Sequence, residues 1–331
     1  MRKYDVHLLL RQIYSARTPR PYRKAATIPS RALSTQHGPS AGSIARLATR
    51  IPRGTWDTHM HVVDPRAFPL SKDAQYQPSP HTIVEAQKFL SSLGIFKMVI
   101  VQPSIYGHDN ACTIDGLKRL GVENGRAVIQ FDVDTTSTEQ LREWHELGVR
   151  GVRLNYKSVG AKPEKISLAT QMHKYATAVR PFGWVVELYI AMEDIPLLET
   201  IVPDLGDVKI CIDHFGRPST ESLSTAQTNE LLPGFSCLTQ LVKLDNVWVK
   251  LSAAYRLDPH PQHPHVQSLV RSILRTRPDR CVFATDWPHT RAEDVDVTLY
   301  LQELFNWCEA EKVPLRKVLV ENAEELFDAR P

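Results

Sequence analysis

The chain has 331 residues, 42% hydrophobic and 23% charged, with a mean hydropathy of −0.27 and a formal net charge of +3. That length allows one large core or two smaller ones, and no apolar run approaches the ~18–20 residues of a membrane-spanning helix. Residues 1–53 hold eleven basic side chains against Asp5 alone, a net of +10 that leaves −7 on the rest. An acidic body excludes a broad phosphate-binding face, so neither nucleic acid nor a membrane is expected as a partner.

In chain order, the first segment is the basic extension over residues 1–53, rich in Arg, Ser and Pro and expected to be disordered. Arg-rich, acid-poor termini of this kind are typical of mitochondrial transit peptides, and Arg31-Ala32-Leu33-Ser34 is like the sites where they are trimmed. A mitochondrial location is therefore expected if the segment is an address, and a cytoplasmic one if it is a plain extension. Gly38-Pro39-Ser40-Ala41-Gly42 matches G-x-S-x-G, but a nucleophile elbow needs a strand before the serine and a helix after it, and neither is readable. The five cysteines, Cys112, Cys211, Cys237, Cys281 and Cys308, are scattered without C-x-x-C spacing, which fits buried thiols better than a disulfide framework or a cysteine zinc site.

Residues 54–331 repeat one pattern, a short apolar run, a loop and a helix-period segment. The runs are Thr55–Val63, Phe96–Gln102, Ala127–Val133, Val149–Tyr156, Trp184–Ile190, Val208–Asp213, Val247–Ala253 and Val282–Asp286. Each is Val- and Ile-rich and too short for a buried helix. Amphipathic stretches such as His81–Leu93, Thr138–Leu147, Ile166–Val179, Pro264–Leu274 and Val295–Glu311 lie between them. Strands alternating with helices pair in parallel through right-handed crossovers, and eight units predict a (β/α)8 TIM barrel. An open doubly wound sheet would carry a glycine fingerprint after its first strand, and none is present.

Groups able to do chemistry gather at the ends of these runs. The first ends Asp57-Thr58-His59-Met60-His61, the sixth Ile212-Asp213-His214, and the eighth continues Thr285-Asp286-Trp287-Pro288-His289. Residues two apart on a strand face one way, so His59 and His61 share a face and make half of a metal site. A lone histidine at a strand end is usually a satisfied structural residue. Four titratable groups at three separate strand ends, all on the face where barrel enzymes keep their sites, read instead as catalytic. The loop Asp258–His265 holds three Pro-spaced histidines, His260, His263 and His265; metal binding is one reading and solvation the simpler one, and they stand on the exit side of the seventh run as a candidate wall of the site.

His-x-His on strand one, His on strand six and Asp on strand eight resemble the hallmark of the amidohydrolase superfamily. The wording Trp56-Asp57-Thr58-His59-Met60-His61, Val101-Gln102-Pro103-Ser104 and Gly151-Val152-Arg153-Leu154-Asn155 is similar to its amidohydrolase-related branch, which includes 2-pyrone-4,6-dicarboxylate lactonase and sugar-acid lactonases. The resemblance implies a hydrolase that opens a small carboxylated lactone. Asp286 would be the general base, and His59, His61 and His214 would polarise the carbonyl directly or hold one divalent metal, Zn, together with Asp286. It implies further that Arg153, Lys157 and Arg256 meet substrate carboxylates and that Ser104, Tyr76 and Tyr189 contact the substrate through hydroxyls, with His289 facing the substrate or supporting the site. Glu187-Leu188-Tyr189 stands where binuclear relatives keep a histidine, so a two-metal centre is not expected, and a metal-free mechanism is the alternative to a single ion. Lys157, where a second arginine would be expected, leaves the substrate's anionic groups open.

Other readings stand beside these. Arg153 is also an ion-pair partner for a barrel interior, Tyr76 and Tyr189 also packing aromatics, Asp57 and Asp213 also groups that orient neighbouring histidines, and His108 and Asn110 also caps of the next helix. The same ligand set serves a metal-dependent decarboxylase of an aromatic or muconate-type acid, and a catalytically silent binding barrel is the third alternative. The partner expected is a small anionic molecule. Nothing in the sequence speaks for an oligomeric state.

Overall fold

The computed structural model describes residues 46–329; residues 1–45, with most of the expected extension, its targeting signal and its Gly38–Gly42 motif, lie outside the described residues, while residues 46–53 of that extension are ordered, with Leu47 and Ile51 buried. Eight short strands are present: β1 Trp56–Met60, β2 Lys97–Val101, β3 Gly125–Ile129, β4 Val149–Asn155, β5 Val185–Tyr189, β6 Ile210–Ile212, β7 Val247–Leu251 and β8 Cys281–Phe283. Each pairs in parallel with the next, in the order β1 to β8. The seam is drawn together beyond β8. Met60 bridges Trp287, the His61 N–H donates to the Trp287 carbonyl at 2.8 Å, and the Asp286 N–H donates to the His59 carbonyl at 3.0 Å. The fold is the expected (β/α)8 TIM barrel.

The helices are α1 Ile83–Ser92, α2 Ala111–Leu120, α3 Thr138–Glu146, α4 Lys165–Val179, α5 Thr220–Thr225, α6 Phe235–Val242, α7 Pro264–Thr276, α8 Val297–Ala310 and α9 Asn322–Leu326. Local chemistry starts several of them. Thr82 and Glu85 form a capping box on α1, and Ser137 caps α3. The α2, α5, α6 and α9 helices are not among the amphipathic stretches singled out above. In α2 the mid-helix Gly116 lets the helix pack closely on β2, since a Cβ there would stand 3.0 Å from Ile100 Cδ1.

Burial divides into two layers. Most apolar side chains fill the shell between strands and helices, and this shell takes in Leu47 and Ile51, which precede the first strand. A smaller cluster joins Val99, Val101, Val128, Val185, Cys211, Trp248 and Val282, drawn from six different strands, with Leu326 and Phe327 from the C-terminal end packed against it. Gly151 makes this second cluster possible on β4, since a Cβ there would stand 2.6 Å from Val185 Cγ1 and 3.1 Å from Val128 Cγ2.

The strands end earlier than their apolar runs suggest. Ala127–Val133 is strand only to Ile129, and Val282–Asp286 only to Phe283. His214 and Asp286 therefore stand in turns just past β6 and β8, both at positive φ (53° and 65°), where non-glycine residues are uncommon and functional sites are over-represented.

Candidate active site

His59 lies on β1 and His61 one residue past its end, with their rings facing each other at 4.9 Å as the strand alternation requires. His214, after β6, brings its ring to 4.8 Å from that of His59. Their Nε2 atoms converge on one oxygen of Asp286: Oδ1 is 3.7 Å from His59, 3.7 Å from His61 and 4.0 Å from His214. His59 Nε2 and Asp286 Oδ1 are both buried without a hydrogen-bond partner. The four residues read from sequence thus meet at a single point.

The other carboxylate oxygen is engaged. Asp286 Oδ2 accepts from the Tyr255 hydroxyl at 2.6 Å and from Arg256 Nε at 3.0 Å. Burial works against the Asp286 charge, but Arg256 and the histidines outweigh it and hold its carboxyl well below the usual carboxylate range. Burial, followed by the charge of Asp286, keeps the Tyr255 hydroxyl protonated far above its ordinary value. His61 Nδ1 lies 2.7 Å from the Val101 carbonyl and His214 Nδ1 lies 2.7 Å from Ser252 Oγ. Burial pushes both imidazoles down to about 4, so they are neutral at physiological pH.

Beneath this point runs a layer of buried charge. Lys250 on β7 pairs with Glu187 on β5 and lies 3.5 Å from Asp213, while Arg153 on β4 reaches Asp213 at 3.3 Å and Glu187 at 3.8 Å. Two cations thus balance two carboxylates, which is what makes charge tolerable inside a barrel. Burial raises the Glu187 carboxyl; burial works against the Asp213 charge as well, but His59 and Lys250 outweigh it and draw that carboxyl well down. Asp213 Oδ1 lies 3.4 Å from His59 Nδ1, and Asp213, His59 and His214 group with polar atoms within 4.8 Å of one another. Asp57 accepts from the Thr285 N–H and hydroxyl and from the His59 N–H, tying β1 to the loop that carries Asp286.

Above the four residues opens a cavity of about 190 Å³ lined by His61, Tyr76, Ser104, Arg153, Lys157, Tyr189, His214, Arg256 and Asp286, all of them read from sequence. Arg217, Thr290 and Arg291 complete its polar wall and were not foreseen. Arg291 stacks over the Tyr76 ring at 4.3 Å, and Lys157 stands 3.8 Å from Glu193. Arg153 is ion-paired with Asp213, the interior role weighed for it, and also lines the cavity. Tyr189 packs edge-on against His214 and beneath Arg153.

Other candidates fall elsewhere. His289 is absent from the cavity lining and packs edge-on between Phe89 and Tyr255. His260, His263 and His265 do not line the cavity either; His263 and His265 stack on each other, and His265 borders a separate cleft beside Leu223 and Asn229. Asn110 does not cap α2 through its side chain but clamps Gln130, donating to its carbonyl and accepting from its N–H. Lys250, Ser252 and Tyr255 are the contributors that sequence reasoning missed. A lysine inside the run Val-Trp-Val-Lys-Leu is the one signal that was available for them.

Residues 56–329 match the family model described as Amidohydrolase. The chain belongs to that family. This amidohydrolase is 33% identical over 306 residues to 4-sulfomuconolactone hydrolase of Rhizobium radiobacter, covering 88% of this chain and 95% of that one. It is 27% identical over 258 residues to 2-pyrone-4,6-dicarboxylate hydrolase of Comamonas testosteroni, covering 74% and 80% respectively. A Pseudomonas putida structure assigned as a 2-pyrone-4,6-dicarboxylic acid hydrolase superposes with a TM-score of 0.68 at 28% identity, over 85% of this chain and 100% of that one.

The donor set of this amidohydrolase fits one divalent cation. His59, His61 and Asp286 offer ligand atoms within 4.8 Å of one another, and two of the converging atoms are orphaned.

Proposed function

We propose that this amidohydrolase opens a small lactone carrying carboxylate or sulfonate groups, with Asp286 as general base. The observation that carries the reading is the charge of the cavity: Arg153, Lys157, Arg217, Arg256 and Arg291 surround a single carboxylate, Asp286. Guanidinium forks match planar carboxylates and sulfonate oxygens alike. The relatives named for an anionic muconolactone and a pyrone dicarboxylate support the same class of substrate.

In this mechanism Asp286 Oδ1, unpartnered and ionised, takes a proton from water as the water oxygen adds to the lactone carbonyl carbon. The ring C–O bond then breaks, and the same carboxyl returns its proton to the leaving oxygen, giving the open-chain acid. Tyr255 and Arg256 keep Oδ2 occupied, so the proton has one place to go. The neutral imidazoles wall the carbonyl, and the cations farther out orient the substrate's anionic groups. His59, His61, His214 and Asp286 would hold a divalent cation, which when bound supplies Lewis-acid polarisation of the carbonyl.

The test is a panel of lactones with and without anionic groups, assayed on the full chain before and after chelation and zinc restoration. Ring opening confined to anionic lactones is expected. Opening of neutral lactones alone would overturn the reading, and release of carbon dioxide from an aromatic or muconate acid would replace it with decarboxylation. A mitochondrial address for residues 1–53 is a separate proposal resting on their composition, and a fluorescent fusion of that segment that stays diffuse in the cytosol would refute it.

A further inference from the structure

Lys250 has no part in the reaction just described, yet it is fully buried directly under it. Its ammonium pairs with Glu187 Oε2, lies 3.0 Å from His59 Nδ1 and stands 3.5 Å from Asp213 Oδ1. An ammonium has three hydrogens and no lone pair, so at hydrogen-bond distance from a ring nitrogen it can only donate. A neutral imidazole that accepts at Nδ1 carries its proton on Nε2. His61, two residues along on the same face, is held the opposite way: its Nδ1 faces the Val101 carbonyl, which only accepts, so its Nε2 keeps the lone pair.

We infer that Lys250 is a positioning residue that fixes the His59 proton on Nε2, so that His59 presents a donor and His61 an acceptor to the point where both meet Asp286 Oδ1. The inference rests on the lactone-opening reading for its chemistry but not for its geometry. Two buried carboxylates, Glu187 and Asp213, flank the ammonium, a pairing that matches its charge. A rival arrangement is visible in the same place. Glu187 Oε1 and Asp213 Oδ1 each lie 3.4 Å from His59 Nδ1 and have ion-pair neighbours but no hydrogen bond among the described residues, so a proton on Nδ1 would have acceptors. Lys250 stands nearer, and a proton on Nδ1 would be held against an ammonium. An imidazole with its proton on Nε2 must give up that proton before it can hold a cation, so Lys250 weakens, without preventing, metal binding at His59, His61, His214 and Asp286.

Long-range proton–nitrogen NMR of the full chain, labelled with ¹⁵N-histidine and stripped of metal, reads the tautomer directly; His59→Asn identifies the His59 signals. The expected result is a proton on Nε2 in the wild type. In Lys250→Met it moves to Nδ1, zinc binds about tenfold more tightly, and metal-free kcat falls about a hundredfold with KM nearly unchanged. A wild-type His59 with its proton on Nδ1 overturns the inference, and that spectrum decides even if Lys250→Met fails to fold. A folded Lys250→Met with the proton still on Nε2 also overturns it, reducing Lys250 to a structural ion pair. An Nε2 proton in a wild-type protein that opens no lactone supports the assignment to Lys250 and overturns the proposed function instead.

Discussion

The two oxygens of Asp286 have different surroundings, and the chemistry follows from that asymmetry. Oδ1 faces three imidazole nitrogens with no hydrogen bond, while Oδ2 is held by Tyr255 and Arg256. Asp286→Asn keeps the shape but cannot take a proton, so kcat should fall by roughly 10²–10⁴ in steady-state assays with the fold intact by circular dichroism. Tyr255→Phe removes one donor from a buried carboxylate. Charge-assisted hydrogen bonds are worth about 1.5–3 kcal/mol, so about a tenfold or greater loss in kcat is expected, with little change in KM. Much of this was legible from the chain: His59, His61, His214 and Asp286 announce themselves because titratable groups are costly at the ends of apolar strands unless they are used. Tyr255 and Ser252 do not, because a tyrosine or serine after a strand is compatible with many ordinary roles.

At the scale of elements, β4 depends on the missing side chain of Gly151. A methyl there would collide with Val185 and Val128, so Gly151→Ala should destabilise the fold by about 1–3 kcal/mol in urea denaturation. A second expectation concerns the α3–β4 corner. His145, near the end of α3, accepts at Nδ1 from the buried Trp184 indole at 2.9 Å, and burial, then Arg150, lowers its pKa below 6.5. The unfolded chain therefore binds this proton more readily than the folded one. The stabilisation is complete above pH 6.5 and is lost as the pH falls through the folded pKa. His145→Gln, whose amide oxygen still accepts from Trp184, should show a flatter fall of Tm between pH 7 and pH 5 than the wild type; parallel curves would rule this role out. The strand cores were readable here, but their ends were not. Phe283 and Ile129 end their strands because the barrel wall ends there, while the apolar run continues into loops that pack against neighbouring turns.

The whole molecule is closed by contacts that no local pattern contains. Leu47 and Ile51 precede β1 and are buried in the helix–strand shell, whereas composition puts the body's start at residue 54. A chain beginning at residue 46 should match the full protein in Tm. Starting at residue 54 should lower it, since burying each of these side chains contributes about 1.5–3 kcal/mol; equal Tm values would show that the segment adds nothing. By itself the sequence determined the barrel, through eight apolar runs whose short length and helical spacing admit few other packings. It also determined the four residues at the centre, because their chemistry is out of place in those runs. The tertiary structure alone decided which groups those residues touch. Lys250 under His59, Tyr255 on Asp286 and Asp213 beside His59 are contacts between strands far apart in the chain, set by strand register and by the turns at positive φ.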